Sequence, residues 1–423
     1  MKQNSKIFLA SIIGNVLDRY DIALYGFMVA FMAPNFFPSE DPLVSAIKAY
    51  GVMATSMITK PLGNLFFGRL AMTIGPKKVM VMVLSGVAIT TGAIGFVPNY
   101  ESIGSLATVI FVSLRIMQNF FASGENTIAP LFILQNAPTA KETRVSSLFG
   151  FSTMIGVVIA SFISMIVSNT NNPLYYWRYA YFAGFCTAFI GIYLRFSLVT
   201  KEKEPIPTIG LYDIAKTLVA NRHSSIRIIF VSSFSYITYT IPFIFMNVFV
   251  PEITNVSISE MLQLNSMLLL LDTSLLPLFG LIAENFEIKK FMASMSVFIW
   301  LIILPLFYFM PGSGFLYVIF ARIVIILCGL AFLAPLQAWY YSLVSGNDKY
   351  LVIGISASIG EEVLGRNSTA ICLLLWHYFK NPIAPAMYIF LIAGLASFAL
   401  IFMDQTTKKQ ESSIKLLRPE LQA

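Results

Sequence analysis

Charge is scarce in this chain. Of its 423 residues only 12% are Asp, Glu, Lys or Arg, while 57% are hydrophobic. A soluble domain carries about 25% charged residues, so the shortage excludes a water-soluble globular protein and points to a polytopic membrane protein. Histidine is nearly missing, with His223 and His377 the two present. The sequence has no His-Glu-x-x-His, no P-loop and no paired metal motif. An enzyme is therefore not expected, and neither is a metal or other cofactor. Cys186, Cys328 and Cys372 all lie in apolar stretches, with no ligand spacing and no disulfide framework, and read as small buried hydrophobes. The net charge of +7 does not mark a nucleic-acid partner, because the basic residues are sorted by loop.

What is present is a succession of long apolar stretches. Twelve spans are expected near 7–33, 47–68, 79–97, 106–134, 146–168, 178–199, 226–249, 262–283, 291–310, 315–344, 351–376 and 384–403. The N-terminus reads as a full-length span with polar residues inside it, not as a cleaved leader. Connections assigned to one side carry most of the basic residues, among them Arg69, Lys77, Lys78, Lys141, Arg144, Lys201, Lys203, Lys289, Lys290 and Lys349. The opposite loops carry few, Lys48, Arg178 and Lys380 near span ends, alongside Glu40, Asp41, Glu101, Glu252 and Glu260. This asymmetry places both termini in the cytoplasm.

The expected organisation is a six-span half over 1–199, a cytoplasmic linker over 200–225, a second six-span half over 226–403 and a cytoplasmic tail over 404–423. The linker contains a short amphipathic stretch from Leu211 to Val219. After the second span the chain reads Gly68-Arg69-Leu70-Ala71-Met72-Thr73-Ile74-Gly75-Pro76-Lys77-Lys78. After the eighth it reads Gly280-Leu281-Ile282-Ala283-Glu284-Asn285-Phe286-Glu287-Ile288-Lys289-Lys290. Both run from a Gly to a Lys-Lys pair at the same spacing, about half a chain length apart. Arg115-Ile116 in the fourth span and Arg322-Ile323 in the tenth match in the same way. An internal duplication into two six-helix bundles, with a site at the midplane, is the plan of the major facilitator fold. The fold class expected is thus an all-α membrane protein of two pseudo-symmetric six-helix bundles.

Several segments resemble the metabolite:proton symporter branch of the major facilitator superfamily, which includes proline/betaine, α-ketoglutarate, citrate and shikimate transporters. Gly14-Asn15 through Asp18-Arg19-Tyr20-Asp21 to Leu24-Tyr25-Gly26-Phe27 is similar to that branch's G-N-x-x-E-W-Y-D-x-x-x-Y-G-F. Lys60-Pro61-Leu62-Gly63 followed by Gly68 resembles R-P-x-G and its later Gly. Arg115-Ile116-Met117-Gln118-Asn119-Phe120 with Ser123-Gly124-Glu125 resembles R-x-x-Q-G-F…G-G-E, and Trp177-Arg178 its W-R. The likeness is specific over roughly the first 200 residues and fainter beyond. It implies a secondary transporter of a small polar metabolite, working by alternating access in the bilayer with protons as co-substrate, in the bacterial cytoplasmic membrane; a monomer is expected. There are departures. Met72 stands where the superfamily's loop carries an Asp, which puts the usual ionic latch in doubt, although Glu284 supplies an acid in the second copy. Arg19 stands where the branch has Trp. The fifth span, Gly150-Phe151-Ser152-Thr153-Met154-Ile155-Gly156, lacks the G-P-x-x-G-G signature of many drug antiporters, which favours uptake.

A charge at the centre of a spanning helix costs about 2.5–3.5 kcal/mol on insertion scales, so each one calls for a reason. Asp18 and Asp21 lie on one face of the first span, with Tyr25 one turn beyond Asp21. Two carboxylates so close in a low-dielectric setting do not easily both stay ionised, which suits a proton-coupling group. Arg19 is either a structural counter-ion or a substrate ligand. Arg115 and Glu125 are ten residues apart, about 15 Å along a helix, and each needs a partner from another span. Arg115 either binds a substrate carboxylate or neutralises Asp18 or Asp21, and Gln118 lies one turn away. Glu125 is either a proton-relay acid or part of the cytoplasmic gate. Lys60 either joins the substrate site or holds the second span to a neighbour. Asp272, mid-way along the eighth span, either pairs with Arg322 or Arg366 or lines the path as a further proton-coupling acid. Glu362 and Arg366 either satisfy each other as an i,i+4 pair or face the substrate. Tyr236 and Tyr239 either cradle a quaternary ammonium or pack as core. Gly68, Lys77, Lys78, Gly280, Glu284, Lys289 and Lys290 are the expected gating residues. The mixture of buried acids and bases suits a zwitterion such as proline or betaine. The basic groups Arg19, Lys60 and Arg115 suit a mono- or dicarboxylate instead, and an uncoupled facilitator is the third reading.

Overall fold

The computed structural model describes residues 3–39, 48–49, 51–52, 54–137, 141–196, 211–256, 258–344, 346 and 348–403. The tail over 404–423 and the linker segment 200–210 lie outside the described residues. Among the described residues the regular structure is helical. The first half contains α1 (Gln3–Phe36), α2 (Ser56–Ile74), α3 (Pro76–Phe96), α4 (Ser105–Gln135), α5 (Glu142–Ser168) and α6 (Pro173–Phe196). A short helix, Leu211–Ala220, precedes α7 (Arg222–Ile253). Then follow α8 (Ile258–Ala283), α9 (Ile288–Tyr308), α10 (Phe315–Leu343) and α11, built from Lys349–Ile359, a π-helical turn Gly360–Gly365 and Ser368–Phe379; α12 is Ile383–Ile401. Eight of these are long and apolar enough to cross a membrane; the charge-bearing α1 and the interrupted α11 are not among the eight. Large apolar side chains such as Phe96, Tyr193 and Leu316 stand exposed on helix surfaces, as a hydrocarbon environment permits.

The turn between α2 and α3 is written in two residues. Gly75 has φ +91°, a conformation that favours glycine. Pro76 then occupies the first turn of α3, where its missing N–H costs nothing. Residues 48–49 and 51–52 are helical as well, ahead of a turn at Ala54-Thr55, so helical residues of the second span reach back to about the limit expected near 47. Pro61 lies inside α2, beyond its first turn, where its missing N–H removes one helical hydrogen bond.

Two compact units are present: residues 1–215 with 345–355, and residues 216–344 with 356–423. In the first, α1 packs on α5 and α6, α3 on α4 and α6, and α2 on α4. Gly156 lets α5 lie directly on α1, since a Cβ there would meet the Val16 carbonyl oxygen at 2.5 Å and the Tyr20 nitrogen at 3.0 Å. Asn15 pins the same contact by donating to Ser152 Oγ (2.7 Å) and Thr153 Oγ1 (2.9 Å). Gly156→Val is therefore expected to destabilise the protein by about 1–3 kcal/mol through overpacking, read as a lower midpoint of thermal unfolding in detergent. A stack of Phe36 on Phe111 (4.2 Å between centroids), with Trp177 edge-on to Phe36, closes one end of this unit's core.

In the second unit α9 packs on α12, α8 on α10, and α7 on α12 and on the π turn of α11. Both interruptions have local causes. In α7 the π turn Ile241–Phe245 contains Pro242, which cannot donate a helical hydrogen bond. In α11 a Cβ at Gly360 would strike the Ile229 carbonyl, and one at Gly365 would strike the Tyr236 ring. Glycine thus lets the turn lie flat on α7.

Candidate functional site

The first unit holds an unbroken run of buried polar side chains across three helices. On α1 Asp21 is 3% exposed. Its Oδ2 accepts a hydrogen bond from Thr91 Oγ1 on α3 at 2.9 Å. The same Thr91 oxygen accepts from Gln118 Nε2 on α4 at 2.6 Å. Gln118 Oε1 accepts in turn from Arg115 Nη1, one helical turn away. The Arg115 guanidinium lies over the Tyr25 ring, 3.8 Å from its centroid, and Tyr25 Oη donates to the Ala49 carbonyl at 2.5 Å. An acid and a base are therefore joined through two neutral residues, all nearly excluded from solvent. Arg115 can only donate, while Gln118 and Thr91 both donate and accept, so the run donates in one direction, from the cation to the acid.

The other oxygen of Asp21, Oδ1, has no hydrogen-bond partner among the described residues. Gly184 of α6 leaves room beside it: a Cβ there would lie 2.5 Å from Oδ1. Tyr20, next to Asp21 in sequence, donates to the Ala180 carbonyl at 2.8 Å and so turns away from the run. Thr91→Val, which keeps the shape and removes the hydroxyl, is expected to leave stability nearly intact. Hydrogen bonds between membrane helices average about 0.6 kcal/mol. Transport should nevertheless fall about tenfold if the run couples Asp21 to Arg115, a rise of about 1.4 kcal/mol in the barrier. Initial uptake rate beside thermal stability separates the two effects.

The remaining first-half candidates lie elsewhere on the same helices. Asp18 is fully buried, one turn before Asp21. Arg19 projects from another face and donates through Nη2 to Asn126 Oδ1 of α4 at 2.6 Å. That partner is a neutral amide, so the guanidinium keeps its net charge there. Glu125 is fully buried and Lys60 nearly so. Close approach of α2 and α4 is allowed by Gly63, whose Cβ would collide with the Phe120 carbonyl.

In the second unit Glu362 and Arg366 meet across one turn of α11. Arg366 Nε lies 2.7 Å from Glu362 Oε2, and its Nη2 donates to Oε1 at 3.2 Å. The guanidinium carbon stands 5.5 Å from the Tyr236 ring centroid. Asp272 on α8 is 7% exposed. Arg322 does not reach it: its Nη1 donates to the Met261 carbonyl at 3.4 Å and its Nη2 to Asn265 Oδ1, about two turns closer to the start of α8. Tyr239 of α7 is within electrostatic reach of Asp272, Tyr236 and Arg366.

The residues expected to gate lie around the α2–α3 and α8–α9 turns. Gly68 approaches the α11 start closely, and a Cβ there would stand 3.0 Å from the Tyr350 carbonyl oxygen and from Leu351 Cα. Residues 345–355 belong to the first compact unit. Tyr350 Oη donates to Gln135 Oε1 at 2.8 Å, and Thr127 Oγ1 donates to Asn64 Oδ1 at 2.8 Å beside Gly354. Met72 is buried. These contacts around Gly68 are backbone packing and neutral hydrogen bonds. Lys77 is half-buried and Lys78 exposed at the start of α3; Gly280 is buried near the end of α8, with Glu284 half-buried just beyond it. Lys289 is half-buried, and the exposed Lys290 pairs with Glu287 at 2.7 Å.

Sequence reasoning missed Thr91, Asn126, Asn265 and Gly184. Thr91 and Gly184 are common residue types in an apolar span; Asn126 and Asn265 are rarer there, but no spacing ties either of them to an arginine of another helix.

Residues 12–348 match the family model described as Major Facilitator Superfamily. The chain is 24% identical over 428 residues to the "Proline/betaine transporter" of Escherichia coli (strain K12), covering 96% of this chain and 84% of that one. It is 25% identical over 430 residues to the "Inner membrane metabolite transport protein YhjE" of the same strain, covering 96% and 95%. Its fold resembles that of the proton:xylose symporter XylE bound to 6-bromo-6-deoxy-D-glucose, with a TM-score of 0.71 at 12% identity over 95% of each chain. With charge held inside otherwise apolar helices and a match across most of its length, this chain belongs to the Major Facilitator Superfamily and is an integral, multi-pass membrane transporter.

Proposed function

We propose that the protein takes up a small zwitterionic metabolite of the proline/betaine class together with protons, by alternating access, in a bacterial cytoplasmic membrane with both termini in the cytoplasm. The observation that carries this reading is the buried run Asp21–Thr91–Gln118–Arg115. A permanent cation in an apolar interior needs a counter-charge or a ligand, and here its link to the acid passes through two neutral hydrogen-bonding groups. In the mechanism we assign, Asp21 Oδ1 carries the transported proton in the space beside Gly184. While Asp21 is protonated, Arg115 has a net charge to offer a substrate carboxylate; when the proton leaves, the charge of Arg115 is balanced through Gln118 and Thr91. Proton and substrate then occupy the run together or leave it together, which is symport. Similarity to a proline/betaine transporter over 96% of this chain supports the substrate class, and the basic connections assigned to one face support the orientation.

A second reading is favoured by Arg19, whose guanidinium has a neutral amide as its hydrogen-bond partner and so suits an extra carboxylate. It makes the substrate a mono- or dicarboxylate. Uptake by proteoliposomes offered glycine betaine, proline, lactate and α-ketoglutarate at two pH gradients distinguishes the readings. The first expects the zwitterions to accumulate and the acids to compete weakly. Uptake of acids alone sinks it, and uptake indifferent to the gradient makes the protein a facilitator.

A further inference from the structure

Asp272 stands out in the second unit because it is buried and yet reached by no hydrogen bond or ion pair among the described residues. It sits mid-way along α8 with 7% of its surface exposed, too little for solvation by bulk water and enough for an atom to touch. The cations that sequence spacing offered it are engaged elsewhere. Arg366 is held by both oxygens of Glu362, and Arg322 by Met261 and Asn265. A carboxylate taken from water without a partner is costly, and an arriving cation offsets that cost. The neighbours that can be named are aromatic and aliphatic. Tyr239, half-buried, is within electrostatic reach. Its ring is set by Phe243, 5.2 Å away between centroids, inside a cluster with Leu268 and Leu276, which flank Asp272 on α8.

A carboxylate beside an aromatic ring, in a largely apolar cluster, discriminates among cations. A metal ion needs several oxygen ligands. An alkylated ammonium needs one counter-charge and a ring face. We propose that Asp272 and Tyr239 form the site that accepts the cationic nitrogen of the substrate, a quaternary or secondary ammonium, and not a proton-coupling site. The assignment rests on the zwitterion reading above and deepens it: the nitrogen goes to the acid of α8.

The test is equilibrium binding of radiolabelled glycine betaine to the purified full chain in detergent, competed by 3,3-dimethylbutanoate, which has the same shape and carboxylate but a neutral carbon in place of nitrogen. Wild type should prefer betaine by at least about tenfold. Asp272→Asn should weaken betaine by about tenfold or more and leave dimethylbutanoate unchanged or tighter, so that the preference disappears. Tyr239→Leu should weaken betaine several-fold while Tyr239→Phe keeps it, because the ring face and not the hydroxyl is used. The Tyr239 pair decides the matter if Asp272→Asn fails to fold. A wild-type protein that binds neither betaine nor proline overturns the substrate reading and this site with it. Betaine binding that survives Asp272→Asn, or that falls in parallel with dimethylbutanoate, overturns this site alone. A variant that loses only the pH dependence of betaine binding makes Asp272 a proton site and overturns the assignment equally.

Discussion

Asp21→Asn should abolish concentrative uptake while leaving exchange intact. With a membrane potential of about 100 mV, one proton carried per substrate supplies about 2.3 kcal/mol, enough to hold roughly 40-fold accumulation. The Asn variant keeps an oxygen to accept from Thr91 Oγ1 and mimics the neutral acid, so the helices should still pack and the substrate should still cross. It can no longer release a proton. Accumulation ratio in energised proteoliposomes should therefore fall from tens to one, and counterflow with preloaded substrate should persist. A variant that loses counterflow as well would place Asp21 in substrate binding. One that keeps accumulating would remove it from coupling.

Arg115→Gln is expected to be the most damaging single change to the buried run. The guanidinium lies over Tyr25 and donates to Gln118, and its charge is the counterweight to the Asp21 carboxylate. Removing one side of a directly paired buried ion costs about 3–5 kcal/mol; here the two charges face each other through Thr91 and Gln118, so the loss should be smaller and the variant should still melt below wild type. The double variant Asp21→Asn with Arg115→Gln should regain much of that stability, because the uncompensated acid is gone. Substrate recognition should not return with it. Recovery of both together would make Arg115 a counter-ion only; recovery of neither would mean that the two residues are not energetically coupled. Thermal unfolding of the four proteins of this cycle, with binding measured alongside, separates these outcomes.

How much of this is legible in the sequence depends on the residue type. The helices announce themselves by hydropathy, and their expected limits lie within a few residues of those observed for most spans. The exception lies in the second span, where a turn at Ala54-Thr55 stands between the helical residues 51–52 and α2, and hydropathy does not announce it. Asp21, Arg115 and Gln118 are visible because charge and amide groups are rare in apolar runs and costly there. Thr91 is not. A helical threonine commonly returns its hydroxyl to its own backbone, as the adjacent Thr90 does with the Gly86 carbonyl at 2.8 Å. Only the positions of Asp21 and Gln118 in space give Thr91 a different role. The break in α11 is hidden for a similar reason. Gly360 and Gly365 are small residues in an apolar span, and what makes them a π turn is the α7 backbone and the Tyr236 ring pressed against them. Asp272 is visible as a buried acid, but Arg322 is a plausible partner until its guanidinium is seen on Asn265.

The central claim, that substrate and proton cross together, is tested most directly by watching the proton. Substrate added to lightly buffered vesicles that contain the protein, under valinomycin and potassium to clamp the voltage, should carry protons inward. The external medium should turn alkaline within the time of uptake, in proportion to the glycine betaine or proline taken up, and the Asp21→Asn protein should give no such change. Substrate that enters the wild-type vesicles at full rate with no movement of external pH would contradict the account.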